Sequence, residues 1–249
     1  MIVIEKDANH MAEKGATLFA MEAEKNVRER GRFLVALSGG DTPRPLFRKL
    51  KIDPFRSTIP WSKIHIFWVD ERCVPLNDEA SNYGAALRDF IEVVPVPKSQ
   101  LHPMPGHIAG HAGAALYEKI LQDTLIFGEE KNPVLDFILL GIGKDGHTAS
   151  LFPDGEALRE SKRWVLSVKG GQPDVERLTL TLPVINHSRK IVFMAAGKEK
   201  ASIVKKVAEL HEKKYPASWV RPSTGKTIWL IDQEAASLLS RRSNHVDES

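Results

Sequence analysis

The residues best suited to chemistry lie in three short turns, each directly after an apolar run. The densest is Gly141-Ile142-Gly143-Lys144-Asp145-Gly146-His147-Thr148-Ala149-Ser150-Leu151-Phe152-Pro153, which follows Leu135 to Leu140. His147 can exchange a proton near neutral pH, and Asp145, two positions earlier, is placed to orient it or a substrate hydroxyl. The other eight of the nine histidines lack such a setting and read as surface residues. A second turn, Val69-Asp70-Glu71-Arg72-Cys73-Val74-Pro75, sets three charges at a strand mouth. Arg72 offers a planar fork to phosphate or sugar oxygens, and Asp70 a carboxylate to a hydroxyl, water or cation. A surface Glu71–Arg72 ion pair, with Asp70 capping the next turn, accounts for the same residues. In the third, Ser38-Gly39-Gly40-Asp41-Thr42-Pro43, two glycines let the backbone approach a ligand and exposed helix amides favour an anion such as phosphate. Ser38 and Thr42 offer hydroxyl donors and Arg44 either adds charge or is a solvated surface residue, while a capped tight turn would use the same stretch.

Familiar alternatives do not fit. Gly141, Gly143 and Gly146 satisfy G-x-G-x-x-G, but Pro153 interrupts the helix that a dinucleotide site needs. Gly225-Lys226-Thr227 ends like a nucleotide phosphate loop, yet position 220 is Val and a strand-like Ile-Trp-Leu-Ile follows. There is no G-x-S-x-G elbow and no H-E-x-x-H pair. The single cysteine, Cys73, supports neither an internal disulfide nor a zinc framework, which suits a reducing compartment.

Buried strands and intervening helices must position these turns. Continuous apolar runs at Arg32 to Leu37, Ile64 to Val69, Leu135 to Leu140 and Ile191 to Ala195 predict strands buried on both faces. Ile2 to Ile4, Leu178 to Leu182 and Thr227 to Ile231 add strands. Helices are expected over Ala8 to Arg30, through Leu50 after the first turn, and over Ala80 to Ile91, His111 to Phe127, Lys198 to Leu210 and Gln233 to Ser240. Strand-turn-helix repetition predicts an α/β fold with a mainly parallel sheet, whose ligands sit beyond the carboxyl ends of its strands. Residues 1–240 are expected to form one domain and 241–249 a frayed polar tail.

The 249 residues, 42% hydrophobic and 27% charged with a net charge of +3, describe an ordinary globular chain. So even a balance points to neither nucleic acid nor membrane as partner. The first 30 residues lack the apolar stretch of a secretory signal, and no run approaches the ~18 residues of a membrane span, so a cytoplasmic location is expected.

Taken together, L-S-G-G-D-T-P, V-D-E-R-C-V-P-L-N-D-E-A-S-N-Y and G-I-G-K-D-G-H-T-A-S-L-F-P closely resemble the 6-phosphogluconolactonase family. The likeness continues through R-L-T-L-T-L-P-V-I-N, A-G-K-E-K-A and P-A-S-W-V-R-P, in order over nearly the whole chain. It implies a variant doubly wound, Rossmann-like sheet flanked by helices, shared with glucosamine-6-phosphate deaminase, and no cofactor or required metal. The deaminase pattern G-H-I-A-F-N-E-P has a glutamate where this chain has Phe152. The resemblance implies hydrolysis of 6-phospho-D-glucono-1,5-lactone to 6-phospho-D-gluconate in the oxidative pentose phosphate pathway, by a protein expected to act as a monomer. By this resemblance Ser38, Gly39, Gly40, Thr42, Arg177 and Lys200 bind phosphate; by their own chemistry Asp70 and Arg72 are expected to bind substrate and His147 with Asp145 to be catalytic. Either Asp145 or Asp70 is available to orient the imidazole. Without the family, Arg177 and Lys200 read as solvated charges.

Overall fold

The computed structural model describes residues 1–108, 110–125 and 133–240. The expected tail at 241–249 and the end of the helix expected over 111–127 lie outside them. The strands are β1 (Ile2–Glu5), β2 (Phe33–Leu37), β3 (Ile64–Trp68), β4 (Asp70–Arg72), β5 (Leu101–His102), β6 (Phe137–Gly141), β7 (Val165–Gly170), β8 (Val175–Leu180), β9 (Lys190–Ala195) and β10 (Lys226–Asp232). The α-helices are α1 (Ala8–Arg30), α2 (Arg44–Leu50), α3 (Phe55–Thr58), α4 (Asn82–Ala86), α5 (Gly110–Thr124), α6 (Leu182–Asn186) and α7 (Ala201–Val204). Single π-type turns over Leu87–Ile91 and Lys205–Glu209 extend α4 and α7.

Seven strands form a parallel sheet in the order β1-β10-β9-β6-β2-β3-β5, with helices against it, so the chain has the expected α/β fold. All five residues of β2 are buried, as its unbroken apolar run requires of a strand covered on both faces. Asp7 starts α1 by accepting the amides of Asn9 and His10, and Gly31 ends it at φ +76°. The buried face of α1 carries Met11, Ala12, Ala16, Phe19 and Ala23, with Phe19 edge-on to Phe33 and Phe137. From β2 the chain first builds outward through β3 and β5, then returns to place β6 on the other flank of β2. The direction of winding therefore reverses between β2 and β6, where an open α/β sheet leaves a crevice at its carboxyl edge.

A second, antiparallel sheet, β4-β8-β7, grows from that same edge. Val69 joins the two, donating its N–H to Leu37 O at 3.0 Å and accepting from Leu180 N at 2.8 Å. Asp70 to Arg72 are therefore strand rather than turn. The strand expected at Leu178 to Leu182 runs from Val175 to Leu180, because Pro183 opens α6. Gln233 to Ser240 is not a helix but successive turns beginning at Asp232, whose carboxylate accepts Ala235 N. Among the described residues, no helix is long and apolar enough to cross a membrane.

Candidate active site

The turns after β2, β6 and β9 and strand β4 meet over the switch between β2 and β6, around a cleft of about 340 Å³. Ser38, Gly39, Gly40 and Thr42 line it from the first turn, Asp70 and Arg72 from β4, His147 from the turn after β6, Arg177 from β8 and Lys200 from the turn after β9. Asp145 contacts His147 rather than the cleft itself.

One end of the cleft suits an anion. The backbone N–H groups of Gly39, Gly40, Asp41 and Thr42 donate to no protein group among the described residues, while Arg44 N–H is already used by Asp41 O at 3.2 Å. The loop before α2 therefore supplies available donors of its own, ahead of the helix start. Gly40 is glycine for conformation, at φ +84°. Gly39 is glycine for space, since a Cβ there would fall 1.8 Å from Asn82 Oδ1. Arg44 does not add charge to the cleft; its Nε pairs with Asp89 at 2.7 Å.

Four cationic side chains, Arg72, Lys144, Arg177 and Lys200, reach the cleft from other segments. Arg177, only 4% exposed, donates from Nε to Gly170 O at 2.8 Å and from Nη2 to Pro173 O at 3.1 Å. It stands opposite Arg72 in the β4–β8 ladder, and burial followed by the Arg72 charge lowers its pKa. Arg72 gives Nη1 to Ala80 O at 2.6 Å, leaving its buried Nε without a protein partner. Lys200 donates to Ile142 O at 2.7 Å, and burial lowers its pKa while Glu199 opposes that shift. Arg177 is thus buried and Lys200 half-buried, both anchored rather than solvated.

In the turn after β6, Asp145 Oδ1 lies 2.6 Å from His147 Nδ1 and accepts the His147 backbone N–H at 3.1 Å. A carboxylate that accepts from Nδ1 places the proton there and leaves Nε2 with its lone pair. Gly143 makes this pairing possible, because a Cβ would meet the imidazole at 2.1 Å and Asp145 Oδ1 at 2.5 Å. Of the two aspartates available to orient His147, Asp145 does so. Asp70 instead accepts from Ser150 Oγ at 2.6 Å and from Asn82 Nδ2 at 3.1 Å.

Glu71 belongs to no surface ion pair. Fully buried, it accepts the amides of Arg72, Asn82 and Tyr83 and the Ser81 hydroxyl at 2.7 to 2.9 Å. Burial pushes its carboxyl pKa up, and these four donors pull against that shift. Through them it seats the start of α4, and with it Asn82, which sequence reasoning left without a role. Lys144, also in the cleft wall, was legible only as a charge within the glycine-rich turn. Among the described residues there is no cluster of three or more His, Cys, Asp or Glu side chains that could hold a metal ion.

Comparison with known proteins agrees with this geometry. A family model described as glucosamine-6-phosphate isomerases/6-phosphogluconolactonase matches residues 6–229. The chain is 39% identical over 233 residues to a 6-phosphogluconolactonase of Synechocystis sp., covering 92% of this chain and 94% of that protein. It is 34% identical over 238 residues to one from Nostoc sp., covering 94% and 96% respectively. The 6-phosphogluconolactonase structure from Trypanosoma brucei superposes with a TM-score of 0.86 at 28% identity, covering 96% of this chain and 98% of that one. A monomeric glucosamine-6-phosphate deaminase, 22% identical with a TM-score of 0.78 over 95% of this chain and 99% of its own, shares the fold. By motif, topology and matched length, the chain belongs to the glucosamine-6-phosphate isomerase/6-phosphogluconolactonase family.

Proposed function

We propose that this protein hydrolyses 6-phospho-D-glucono-1,5-lactone to 6-phospho-D-gluconate, the lactone-opening step of the oxidative pentose phosphate pathway. The carrying observation is that His147, anchored by Asp145, and a loop of unpartnered amides flanked by cations line one small cleft. A sugar bearing phosphate at one end and a carbonyl at the other matches this division.

In this reading the loop of Ser38, Gly39, Gly40 and Thr42, with Arg177 and Lys200, holds the phosphate. Asp70 and Arg72 hold the sugar oxygens. His147 Nε2 accepts a proton from water as the water oxygen attacks the lactone carbonyl, forming a tetrahedral intermediate. Collapse of that intermediate breaks the ring C–O bond, and the imidazolium returns the proton to the departing ring oxygen. Asp145 keeps the imidazole in the required tautomer and stabilises the imidazolium. Phosphate binding away from the carbonyl makes its energy available for orienting the reacting centre.

The deaminase alternative is less well supported: the side chain packed on His147 is the Phe152 ring, at 5.1 Å between centroids, which cannot carry a proton between sugar atoms. Acid release from freshly made lactone, corrected for spontaneous opening, tests the proposal, with ammonia release from glucosamine 6-phosphate as the competing readout. His147→Ala is expected to lose about 10² to 10⁴-fold in turnover while binding 6-phosphogluconate normally. Near-normal turnover in that variant would remove His147 as the base.

A further inference from the structure

Phe152 occupies a position that the mechanism above does not use. Leu151 N–H donates to Thr148 O at 2.9 Å, and Ala149 takes the left-handed φ of 49°. This reversal returns the chain over its own catalytic turn, so that the Phe152 ring tilts against the His147 imidazole at 52°. The same ring lies 5.9 Å from the Arg177 guanidinium carbon. One side chain therefore touches both the proposed base and a proposed phosphate ligand.

The tip of the β7–β8 hairpin is shaped around this contact. A Cβ at Gly170 would come within 3.0 Å of Phe152 Cδ2; at Gly171 it would meet Arg177 Nη2 at 2.8 Å and Phe152 Cζ at 3.0 Å. Gly171 also holds φ +81°. Beyond the ring opens a separate cleft of about 680 Å³, lined by Phe152, Leu166, Val168 and Lys169 among others. The ring is thus a partition between that cleft and the imidazole.

Resting on the lactonase reading, we propose that Phe152 is a positioning residue for His147, braced on Arg177 and admitted by the Gly170-Gly171 pair. Arg177 is held independently by the carbonyls of Gly170 and Pro173, so the two ends respond differently when the ring is lost. A shorter aliphatic side chain frees the imidazole to swing toward the second cleft while leaving the arginine seated.

The test compares wild type with Phe152→Leu, Phe152→Met and Gly171→Ala, using kcat, KM, calorimetric binding of 6-phosphogluconate and the His147 ring proton signals by NMR. Both Phe152 variants are expected to lose about 10-fold in kcat with KM changed less than about 3-fold, because a misplaced base slows the step without weakening the anchor. Product stoichiometry should stay at one, and the His147 signals should move as the ring current disappears. Gly171→Ala should lower kcat and raise KM together, since its methyl meets both ring and guanidinium. Wild-type kcat in a folded Phe152 variant, unmoved His147 signals, or a kcat loss matched by lost binding stoichiometry overturns the proposal. Absence of lactone hydrolysis in the wild type instead sinks the underlying reading, while the NMR comparison still reports on the ring contact.

Discussion

An imidazole can act as a base toward a substrate only if the nitrogen facing that substrate is unprotonated, and at His147 one contact to Asp145 decides this. Asp145→Asn keeps the size of the side chain but can present either an oxygen or an N–H to Nδ1, so the tautomer is no longer imposed. We expect kcat to fall about 10- to 100-fold, below the largest losses seen for fully buried orienting carboxylates because this one is half exposed. Affinity for 6-phosphogluconate should stay within about 3-fold, and steady-state kinetics with product calorimetry checks both. The pair was legible in the sequence as an aspartate two residues before a histidine between small neighbours. The roles of Glu71 and Asn82 were not. A buried carboxylate satisfied by three amides and a hydroxyl has the same sequence signature as a surface one.

At the scale of elements, the turn between β2 and α2 shows why two adjacent glycines are not equivalent. A methyl at Gly40 meets nothing within 4 Å, so Gly40→Ala is penalised only for holding φ near +84°. The cost should be about 1 kcal/mol in urea unfolding. Any shift of the turn also moves the loop amides, so KM for the lactone should rise in the same variant; unchanged stability and KM would show that the turn needs no glycine there. Strands of the parallel sheet were legible because burial on both faces leaves unbroken apolar runs. The antiparallel sheet escaped notice almost entirely: β4 reads Asp-Glu-Arg, and β8 carries Glu176 and Arg177 within its span. Such strands pair through backbone groups that polarity does not reveal, and carbonyls at the hairpin tip satisfy the buried guanidinium.

At the scale of the whole molecule, acid should weaken the fold at the β3–β5 edge, whose histidines do not line the cleft. His65 Nδ1 and His102 Nε2 lie 3.1 Å apart with their rings nearly parallel, and Phe67 stacks on His102 at 4.5 Å between centroids. Burial, and then His65, push the His102 pKa down to about 4; burial, and then Arg32, lower that of His65. Both groups therefore bind protons more readily in the unfolded chain than in the folded one. Their contribution is intact above about pH 6.5 and is lost as the pH falls toward 4. Urea midpoints measured across this window should decline with acidification, and His102→Phe should flatten the decline. An equally steep decline in the variant would assign the acid sensitivity elsewhere.

The sequence by itself determined the parallel sheet, the family, and the two turns that hold the His147–Asp145 pair and the glycine loop. These are local properties: apolar runs set the strands, and the chemistry follows each run within a few residues. Only the tertiary structure decided which aspartate serves His147, that Arg44 turns away to Asp89 while Arg177 turns inward, and that the Phe152 ring lies against both His147 and Arg177. Each of those outcomes depends on which distant carbonyl, carboxylate or ring a side chain reaches. Chain reversal between β2 and β6 sets those distances, and no local pattern encodes them.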